Sequence, residues 1–251
     1  MADKIIKEKE FHNQRFTEEV RISTQKFYKI ERASREKFKT LMRKNIKNKK
    51  VLELGCGKGS YAIQLAELGG NLIGIDISEV AIDYSQKQAE EKQVKNNTNF
   101  LVMNAEKLDF PSNYFDRVIG SSILHHLDLD KAISEIARVL KSDGDAIFIE
   151  PLGHNFFINL YRKLTPKLRT EDEHPLKLKD LSILNNYFND VEIYFYHLFT
   201  LFAVPFRKMS FFNNLLSFLE KLDQTTFKFL PFLKKQAWQI VIKAKNKSES
   251  K

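Results

Sequence analysis

Cysteine is almost missing from this chain of 251 residues, which contains only Cys56. A single thiol excludes an internal disulfide framework, and the first ten residues show no signal-peptide pattern, so we expect a reducing, cytoplasmic environment. Long apolar runs are missing as well. The longest, residues 193–206, is interrupted by His197 and Pro205 and is shorter than the roughly 20 residues that a membrane-spanning helix needs. A transmembrane helix is therefore not expected.

Charge is unevenly distributed along the chain. Residues 1–50 carry 16 Lys and Arg against 7 Asp and Glu, and residues 151–251 carry 16 against 9, whereas residues 51–150 carry 9 against 16. Two basic flanks around an acidic centre suggest an anionic surface, an anionic substrate or nucleic acid as a partner. Solvated, lysine-rich helix faces explain the same pattern equally well.

Apolar residues make up 43% of the chain, which is enough for one large α/β domain. After Lys50, short apolar runs alternate with helical patterns. The runs predicted to form strands are 51–54, 71–75, 99–103, 117–121 and 145–150, followed by 190–199 and 236–245. Near-continuous apolar strands that alternate with helices predict a doubly wound, parallel sheet.

Two helix ends can be predicted from single residues. Ser78 precedes the helical pattern of residues 79–86 and can cap it. Gly144 follows the helical pattern of residues 131–140 and is expected to close that helix.

A glycine-rich loop lies in the stretch "VLELGCGKGSYAIQLAELGGNLIGID". Here a strand leads into Gly55, Gly57 and Gly59, a helix follows, and a second strand ends at Asp76, 21 residues after Gly55. Glycines allow a tight turn close to a ligand, and the N-terminus of the next helix offers unpaired N–H groups. A carboxylate at the end of the second strand can accept both ribose hydroxyls of a nucleoside. The loop and Asp76 therefore predict a nucleoside site.

The dinucleotide fingerprint G-x-G-x-x-G fits poorly, because its third glycine would fall at Ser60. The observed spacing, E-x-G-x-G-x-G from Glu53 to Gly59, resembles motif I of the class I S-adenosylmethionine-dependent methyltransferases, of the UbiE-like, methyltransferase domain 11 type. The resemblance continues through Asp76 and the segments 104–110, 115–127 and 135–145. It implies a Rossmann-like, seven-stranded, mostly parallel sheet with helices on both faces, and S-adenosylmethionine as cofactor.

The resemblance also implies an organisation of the chain in three parts. Residues 1–48 would form an N-terminal helical lid, and residues 49–150 the cofactor-binding, Rossmann-like core. Residues 151–251 would supply a substrate-side loop, a Phe-rich helical insertion and the last two strands, which complete the same domain.

Cofactor contacts are carried over position by position. The glycine loop would lie against the amino-acid end of the cofactor, Asp76 would hold the ribose and Ile77 would pack on adenine. Asn104 stands where relatives often have Asp, and its amide can still form a hydrogen bond to adenine. For Glu53 a role in bracing the loop is an alternative to cofactor binding. The full set of implied cofactor residues is Tyr28, Glu53, Gly55, Cys56, Gly57, Gly59, Asp76, Ile77, Asn104, Ala105, Glu106 and Ser121.

Methyl transfer is an in-line displacement in which positioning and desolvation do most of the catalytic work, and no metal is intrinsically required. A base is needed only where the acceptor must lose a proton. The stretch "SSILHHLD", residues 121–128, leaves the fourth predicted strand beside the expected methyl group. His125 is our candidate general base, since histidine titrates near neutrality. The resemblance implies that His126, the second catalytic candidate, braces the loop, and a metal ion near this segment is a further alternative.

Four residues after the fifth predicted strand are candidates for binding the acceptor, and for each of them a structural role is the favoured alternative: His154, Asn155, Arg169 and His174. The Phe-rich insertion, residues 200–235, can cover an apolar or amphipathic small-molecule acceptor, form a homodimer interface or rest on a membrane surface, or it can simply pack over the sheet. We expect methyl transfer to O or N, less so to C, of such an acceptor. Two alternatives remain open, an RNA or protein methyltransferase that uses the basic flanks and a non-catalytic binding protein of the same fold.

Overall fold

Seven strands form one sheet in the computed structural model, which describes residues 10, 13, 27, 29–58, 60–165 and 175–246. The strands are β1 (Lys50–Leu54), β2 (Asn71–Asp76), β3 (Thr98–Val102), β4 (Phe115–Ser121), β5 (Leu140–Pro151), β6 (Phe188–Tyr196) and β7 (Gln239–Asn246). Their order across the sheet is β3-β2-β1-β4-β5-β7-β6. The first five are parallel, and only β7 runs antiparallel to its neighbours β5 and β6. The predicted doubly wound, mostly parallel fold is confirmed.

The α-helices among the described residues are α1 (Arg32–Arg43), α2 (Ser60–Glu67), α3 (Glu79–Glu91), α4 (Leu129–Val139), α5 (Phe156–Leu164), α6 (Leu184–Tyr187) and α7 (Phe212–Phe229). Short 3₁₀ helices cover Lys95–Asn97, Leu124–His126, Asp180–Ile183, Thr200–Phe206 and Pro231–Gln236. The Phe-rich insertion is therefore helical, as predicted. No helix in the described part of the chain is both long and apolar enough to cross a membrane.

The helices pack their apolar faces against both sides of the sheet. In α4 the buried residues Ala132, Ile133, Ile136 and Val139 recur at helical spacing, so one stripe faces the core. Ser78 caps α3 as predicted, because its Oγ accepts a hydrogen bond from the amide of Ala81 at 3.1 Å.

The prediction that Gly144 closes a helix is wrong. α4 already ends at Val139, and β5 begins at Leu140, so Gly144 lies inside the strand. A Cβ at this position would approach the carbonyl oxygens of Lys141 and Asp116 to 3.0 and 3.2 Å. The glycine is needed for close backbone approach next to an irregularity in the β4–β5 pairing rather than for a helix cap.

The carboxyl ends of β1 to β5 meet at one edge of the sheet, where ligands of such folds bind. β6 also ends there, because Gln239 at the start of β7 pairs with both Pro151 of β5 and Tyr196 of β6. The insertion that joins β6 to β7 therefore begins and ends at the same edge as the glycine loop.

Helix α1 is part of the core, with Phe38 and Met42 fully buried against the sheet. At its carboxyl end, Arg117 of β4 donates from Nη1 to the carbonyls of Met42 and Lys44 at 2.7 and 3.0 Å, and it binds both carboxylate oxygens of Asp145. One guanidinium thus joins α1, β4 and β5. The lid predicted for residues 1–48 stays a prediction for the part before α1.

We predict that Arg117→Met lowers the free energy of unfolding by about 3 kcal/mol or more, because it leaves Asp145 and the carbonyls of Met42 and Lys44 without their nearly buried partner. Urea unfolding measures this change. Lys95→Met, which removes the exposed ion pair with Glu90, is the control and should leave the stability unchanged. Similar effects of both substitutions would contradict the assigned role of Arg117.

Candidate functional site

The glycine loop leaves β1 with a backbone that favours glycine. Gly55 and Gly57 have φ values of 61° and 51°. A Cβ on Gly55 would lie 2.7 Å from Cδ1 of Ile123, so the loop packs directly on the segment that follows β4. Gly59 lies outside the described residues.

Asp76 ties this loop to the end of β2. Its Oδ2 accepts a hydrogen bond from the amide of Gly57, and its Oδ1 accepts one from the amide of Ser78, both at 2.9 Å. A carboxylate has about four lone-pair sites, so each oxygen can accept a further hydrogen bond. The half-buried carboxylate is therefore held in place and can still accept two hydroxyl groups of a ribose.

Glu53 braces the helix that follows the loop. Its side chain is almost fully buried, and Oε2 accepts a hydrogen bond from the amide of Ala62, in the first turn of α2, at 2.7 Å. Burial raises the pKa of Glu53 to about 8, the Ala62 amide opposes this rise, and the nearby charge of Asp76 adds to it. The neighbouring Cys56 is also buried, and burial raises the pKa of its thiol, so it stays neutral.

The segment predicted to contact adenine lies beside Asp76. The amide of Met103 donates to the carbonyl of Asp76 at 2.9 Å, which places residues 104–106 next to Ile77. Oδ1 of Asn104 accepts from the amide of Glu106 at 2.9 Å, and Ala105 is buried.

Glu106 has a structural contact of its own. Its Oε1 accepts a hydrogen bond from the amide of Asp128, the residue that caps α4, at 2.8 Å. The carboxylate therefore fixes the end of the loop after β4.

Glu150 at the end of β5 holds the histidine loop. Its Oε1 accepts hydrogen bonds from the amides of Ile123 and Leu124 at 2.8 and 2.9 Å, and its Oε2 lies 2.7 Å from Nδ1 of His125. The Glu150 side chain is completely buried, and that of His125 is 4% exposed. In the tautomer in which Nδ1 of His125 donates to Oε2 of Glu150, the lone pair of the neutral ring is on Nε2.

The contact with Glu150 is made by His125, and the bracing role that the resemblance implies for His126 stays a prediction. His126 is half-buried, and its ring centroid lies 4.2 Å from that of His125. Within the described residues, no cluster of three His, Cys, Asp or Glu side chains could hold a metal ion.

Ser121 connects the end of β4 to the N-terminal helix. Its side chain opposes the rise in the pKa of the Tyr61 phenol in α2, and Tyr61 accepts a hydrogen bond from Nη1 of Arg35 in α1 at 3.3 Å. Arg35 in turn binds the buried carboxylate of Glu31 through Nε at 2.5 Å. Burial raises the pKa of the Tyr61 phenol, which keeps it protonated. Neither Tyr61 nor Arg35 was predicted from the sequence.

Asn155 has a structural role, which was the alternative to acceptor binding, and its contact with the acceptor stays a prediction. It caps α5: its Oδ1 accepts from the amide of Ile158 at 3.0 Å, and its Nδ2 donates to the carbonyl of Gln236 at 2.6 Å. The side chain is buried. Nε2 of His154 accepts from the amide of Leu178 at 3.2 Å. Tyr28, Arg169 and His174 lie outside the described residues.

Glu150 is the main residue of the site that the sequence did not reveal. The available signal was a carboxylate at the end of an otherwise apolar predicted strand, "DAIFIE". A charged residue that ends a buried strand at the ligand-binding edge must be paired or hydrogen-bonded, and the loop after β4 was the nearest candidate for that partner.

Comparison with known proteins matches residues 52–148 to the family model of a methyltransferase domain. A methyltransferase of uncharacterised function from Bacillus subtilis, YcgJ, is 34% identical over 102 residues, 40% of this chain and 40% of that protein. A ubiquinone biosynthesis O-methyltransferase from Coxiella burnetii is 32% identical over 117 residues, 46% of this chain and 49% of that protein. The chain thus spans less than half the length of these two relatives.

Solved structures share the fold at lower identity. Phosphoethanolamine N-methyltransferase 2 from Haemonchus contortus, in complex with phosphomonomethylethanolamine and S-adenosylhomocysteine, superposes with a TM-score of 0.59 at 20% identity, covering 81% of this chain and 50% of that one. The B. subtilis YcgJ structure has a TM-score of 0.57 at 20% identity, covering 84% and 99%. At this identity the likeness concerns the fold alone.

We predict that Glu53 makes the stability fall as the pH rises. Because its pKa is about 8 in the folded protein and near 4.5 in the unfolded chain, the folded state holds an extra proton between these values. The free energy of unfolding should therefore decrease across this window, with a limiting slope of about 1.4 kcal/mol per pH unit. Below the window both states are protonated, so the contribution is constant.

Glu53→Gln, which keeps an acceptor for the Ala62 amide, should remove this component. Urea titrations from pH 4 to 9 measure the free energy of unfolding of the variant and of the unmodified protein. As the pH rises, the variant should become more stable relative to the unmodified protein. A difference that is independent of pH would show that Glu53 ionises normally in the folded protein.

Proposed function

We propose that the chain is a class I S-adenosylmethionine-dependent methyltransferase, as the match of residues 52–148 to a methyltransferase domain supports, and that it methylates an oxygen or nitrogen of a small, apolar or amphipathic acceptor. The observation that carries this proposal is the convergence, at the carboxyl edge of the sheet, of the glycine loop, the Asp76 carboxylate and the His125–Glu150 pair.

The residues at this edge suit S-adenosylmethionine, whose sulfonium sulfur supplies a reactive methyl group. Asp76 keeps an acceptor site on each oxygen, which fits two ribose hydroxyls, and the positive φ of Gly55 and Gly57 brings backbone close to a ligand. The carboxylates of Asp76 and Glu150 also favour a cation. Glu53 and Asn104 would act by holding the glycine loop and the segment after β3.

His125 would take the proton from the acceptor hydroxyl or amine. With Nδ1–H donated to Glu150, the Nε2 atom has the lone pair that a general base needs, and Glu150 would stabilise the imidazolium that forms. Glu150 would also keep the ring from rotating, since the same carboxylate holds two loop amides. Glu150 is thus a positioning residue for this step.

An apolar or amphipathic acceptor is supported by the side chains near this edge. Helix α5 follows β5 and exposes Phe156 and Phe157, and the ring of Phe157 lies 5.3 Å from that of Phe202 in the insertion. The Coxiella relative is named for ubiquinone biosynthesis, which agrees with such an acceptor. The Haemonchus neighbour is named as an N-methyltransferase, so we extend the proposal to nitrogen.

Asp76→Ala should weaken the binding of S-adenosylmethionine by roughly a hundredfold or more, because two charge-assisted hydrogen bonds to the ribose are lost. Calorimetric titration measures the dissociation constant, and Asp83→Ala on the exposed face of α3 is the matched control. Asp76→Asn retains a side-chain acceptor. Its affinity for the cofactor therefore distinguishes the loss of the contact with the ribose from a change in the conformation of the glycine loop. Unchanged binding in Asp76→Ala would remove the cofactor site from this edge.

The tautomer of His125 can be measured without knowing the acceptor. Nitrogen-15 NMR should show the proton on Nδ1 in the unmodified protein and on Nε2 in Glu150→Gln, because the Gln amide donates to Nδ1 while its oxygen still accepts from the loop amides. Glu67→Gln, at an exposed position, should change nothing. An Nε2–H tautomer in the unmodified protein would exclude His125 as the base.

The same variants test catalysis. With labelled S-adenosylmethionine and a panel of phenols, quinols and apolar amines, Glu150→Gln and His125→Asn should lower kcat by roughly a hundredfold or more. The affinity for the cofactor should stay within a few-fold of the unmodified protein. Equal loss of cofactor binding would indicate that the pair only supports the fold of the loop.

A further inference from the structure

Helix α7 exposes a second apolar stripe besides the one it buries. Phe211, directly before the helix, and Phe218, Leu222 and Phe229 within it are spaced by seven, four and seven residues, so they share one helix face. They are between 36 and 70% exposed. The buried residues of α7, Phe212, Leu216, Leu219, Asp223 and Phe227, follow a different stripe. Ordinary packing on the sheet therefore does not account for the exposed one.

This apolar surface extends beyond the helix. Phe206 lies next to Phe211, with ring centroids 5.8 Å apart, and Phe202 in the same 3₁₀ segment contacts Phe157 of α5. Of the 17 exposed large apolar side chains among the described residues, 13 belong to α5 and to the insertion. Monomeric proteins rarely expose contiguous apolar surfaces of this kind unless they bind something there.

The surface is held rigidly on the sheet. The buried carboxylate of Asp223 in α7 accepts hydrogen bonds from the amides of Leu198 and Phe199 and from the hydroxyl of Thr200. Buried His197, with φ of 68°, lies within 3.1 Å of that hydroxyl through Nδ1 and within 2.8 Å of Ser34 in α1 through Nε2. The start of the insertion is therefore fixed to both α7 and α1.

Charge around the stripe is of one sign. The insertion carries six basic and two acidic residues: Arg207, Lys208, Lys221, Lys228, Lys234 and Lys235 against Glu220 and Asp223. Neither acid contributes an uncompensated surface charge, because Glu220 pairs with Arg32 of α1 and Asp223 is buried. Lys221 and Lys228 are exposed and lie beside the stripe on α7, each one residue away from Leu222 or Phe229. A long lysine side chain can pack its stem on apolar surface while its amine reaches a polar boundary.

We propose that the stripe Phe211–Phe218–Leu222–Phe229 and its lysine rim dock the protein on the surface of a membrane that contains anionic lipids. Aromatic and leucine side chains enter the boundary between headgroups and acyl chains, and the lysines contact the headgroup phosphates. A second copy of the chain fits this surface less well, because two equivalent basic rims would face each other across a twofold interface. Docking here is independent of the methyl-transfer step, although it brings the carboxyl edge of the sheet close to acceptors dissolved in the bilayer.

Co-sedimentation with large vesicles tests the proposal. The full chain should bind vesicles of phosphatidylcholine and phosphatidylglycerol in equal parts and should bind pure phosphatidylcholine at least tenfold more weakly, with binding that weakens as salt is added. Lys221→Glu combined with Lys228→Glu should lower the partition coefficient by roughly tenfold or more, and Phe218→Ser with Phe229→Ser by a similar factor.

Matched controls change the same chemistry elsewhere. Lys87→Glu with Lys92→Glu, at exposed positions of α3 and its end, and Leu68→Ser, at an exposed apolar residue after α2, should leave binding within twofold. Circular dichroism confirms that each variant is folded, and calorimetry with S-adenosylmethionine confirms that the cofactor site is intact. Loss of vesicle binding alongside unchanged cofactor binding supports docking by this stripe.

Three results would overturn the proposal. They are no binding to anionic vesicles, equal binding in the stripe variants and the controls, and a dimer in sedimentation velocity that Phe218→Ser and Phe229→Ser convert to a monomer. The last result would assign the stripe to a contact between copies of the chain. A protein that binds vesicles but not S-adenosylmethionine would instead contradict the proposed function and leave the docking surface in place.

Discussion

Three carboxylates at the ends of parallel strands hold the loops from which the site is built. Glu53 accepts from the first turn of α2, Asp76 from the glycine loop and from the amide of Ser78, and Glu150 from two amides after β4. Loop amides at the edge of a parallel sheet have no strand partner, and each would cost free energy if it were buried unpaired. Carboxylates solve this problem because they accept several hydrogen bonds at once, and the geometry of the whole edge depends on them.

The three carboxylates also concentrate negative charge at this edge of the sheet, and the surroundings of each one differ. Glu53 is pushed toward the neutral acid by burial and by the charge of Asp76. Oε2 of Glu150 lies 2.7 Å from Nδ1 of His125, and Asp76 stays half-exposed. A sulfonium cofactor would bring positive charge to this edge, so its binding and the ionised carboxylates favour each other. Loop support, cofactor binding and orientation of the histidine thus rest on one set of side chains.

The strands, the glycine loop and Asp76 could be predicted from the sequence because they depend on local spacing. The His125–Glu150 contact could not, since its partners are 25 residues apart and meet only through the register of β4 and β5. The cap at Asn155 depends on local sequence as well, because an Asn immediately before a helical pattern is a capping signal. In the sequence, the exposed stripe on α7 is visible only as part of a Phe-rich segment. Which of its apolar residues are exposed and which are buried depends on how α7 packs against the sheet.

The central claim is that S-adenosylmethionine binds between the glycine loop and the loop after β4. A crystal structure with S-adenosylhomocysteine tests this claim most directly. We expect the ribose hydroxyls to be hydrogen-bonded to the carboxylate of Asp76, and the sulfur to face the loop that carries His125. A nucleoside bound elsewhere on the chain, or no bound ligand at this edge at saturating concentration, would contradict it.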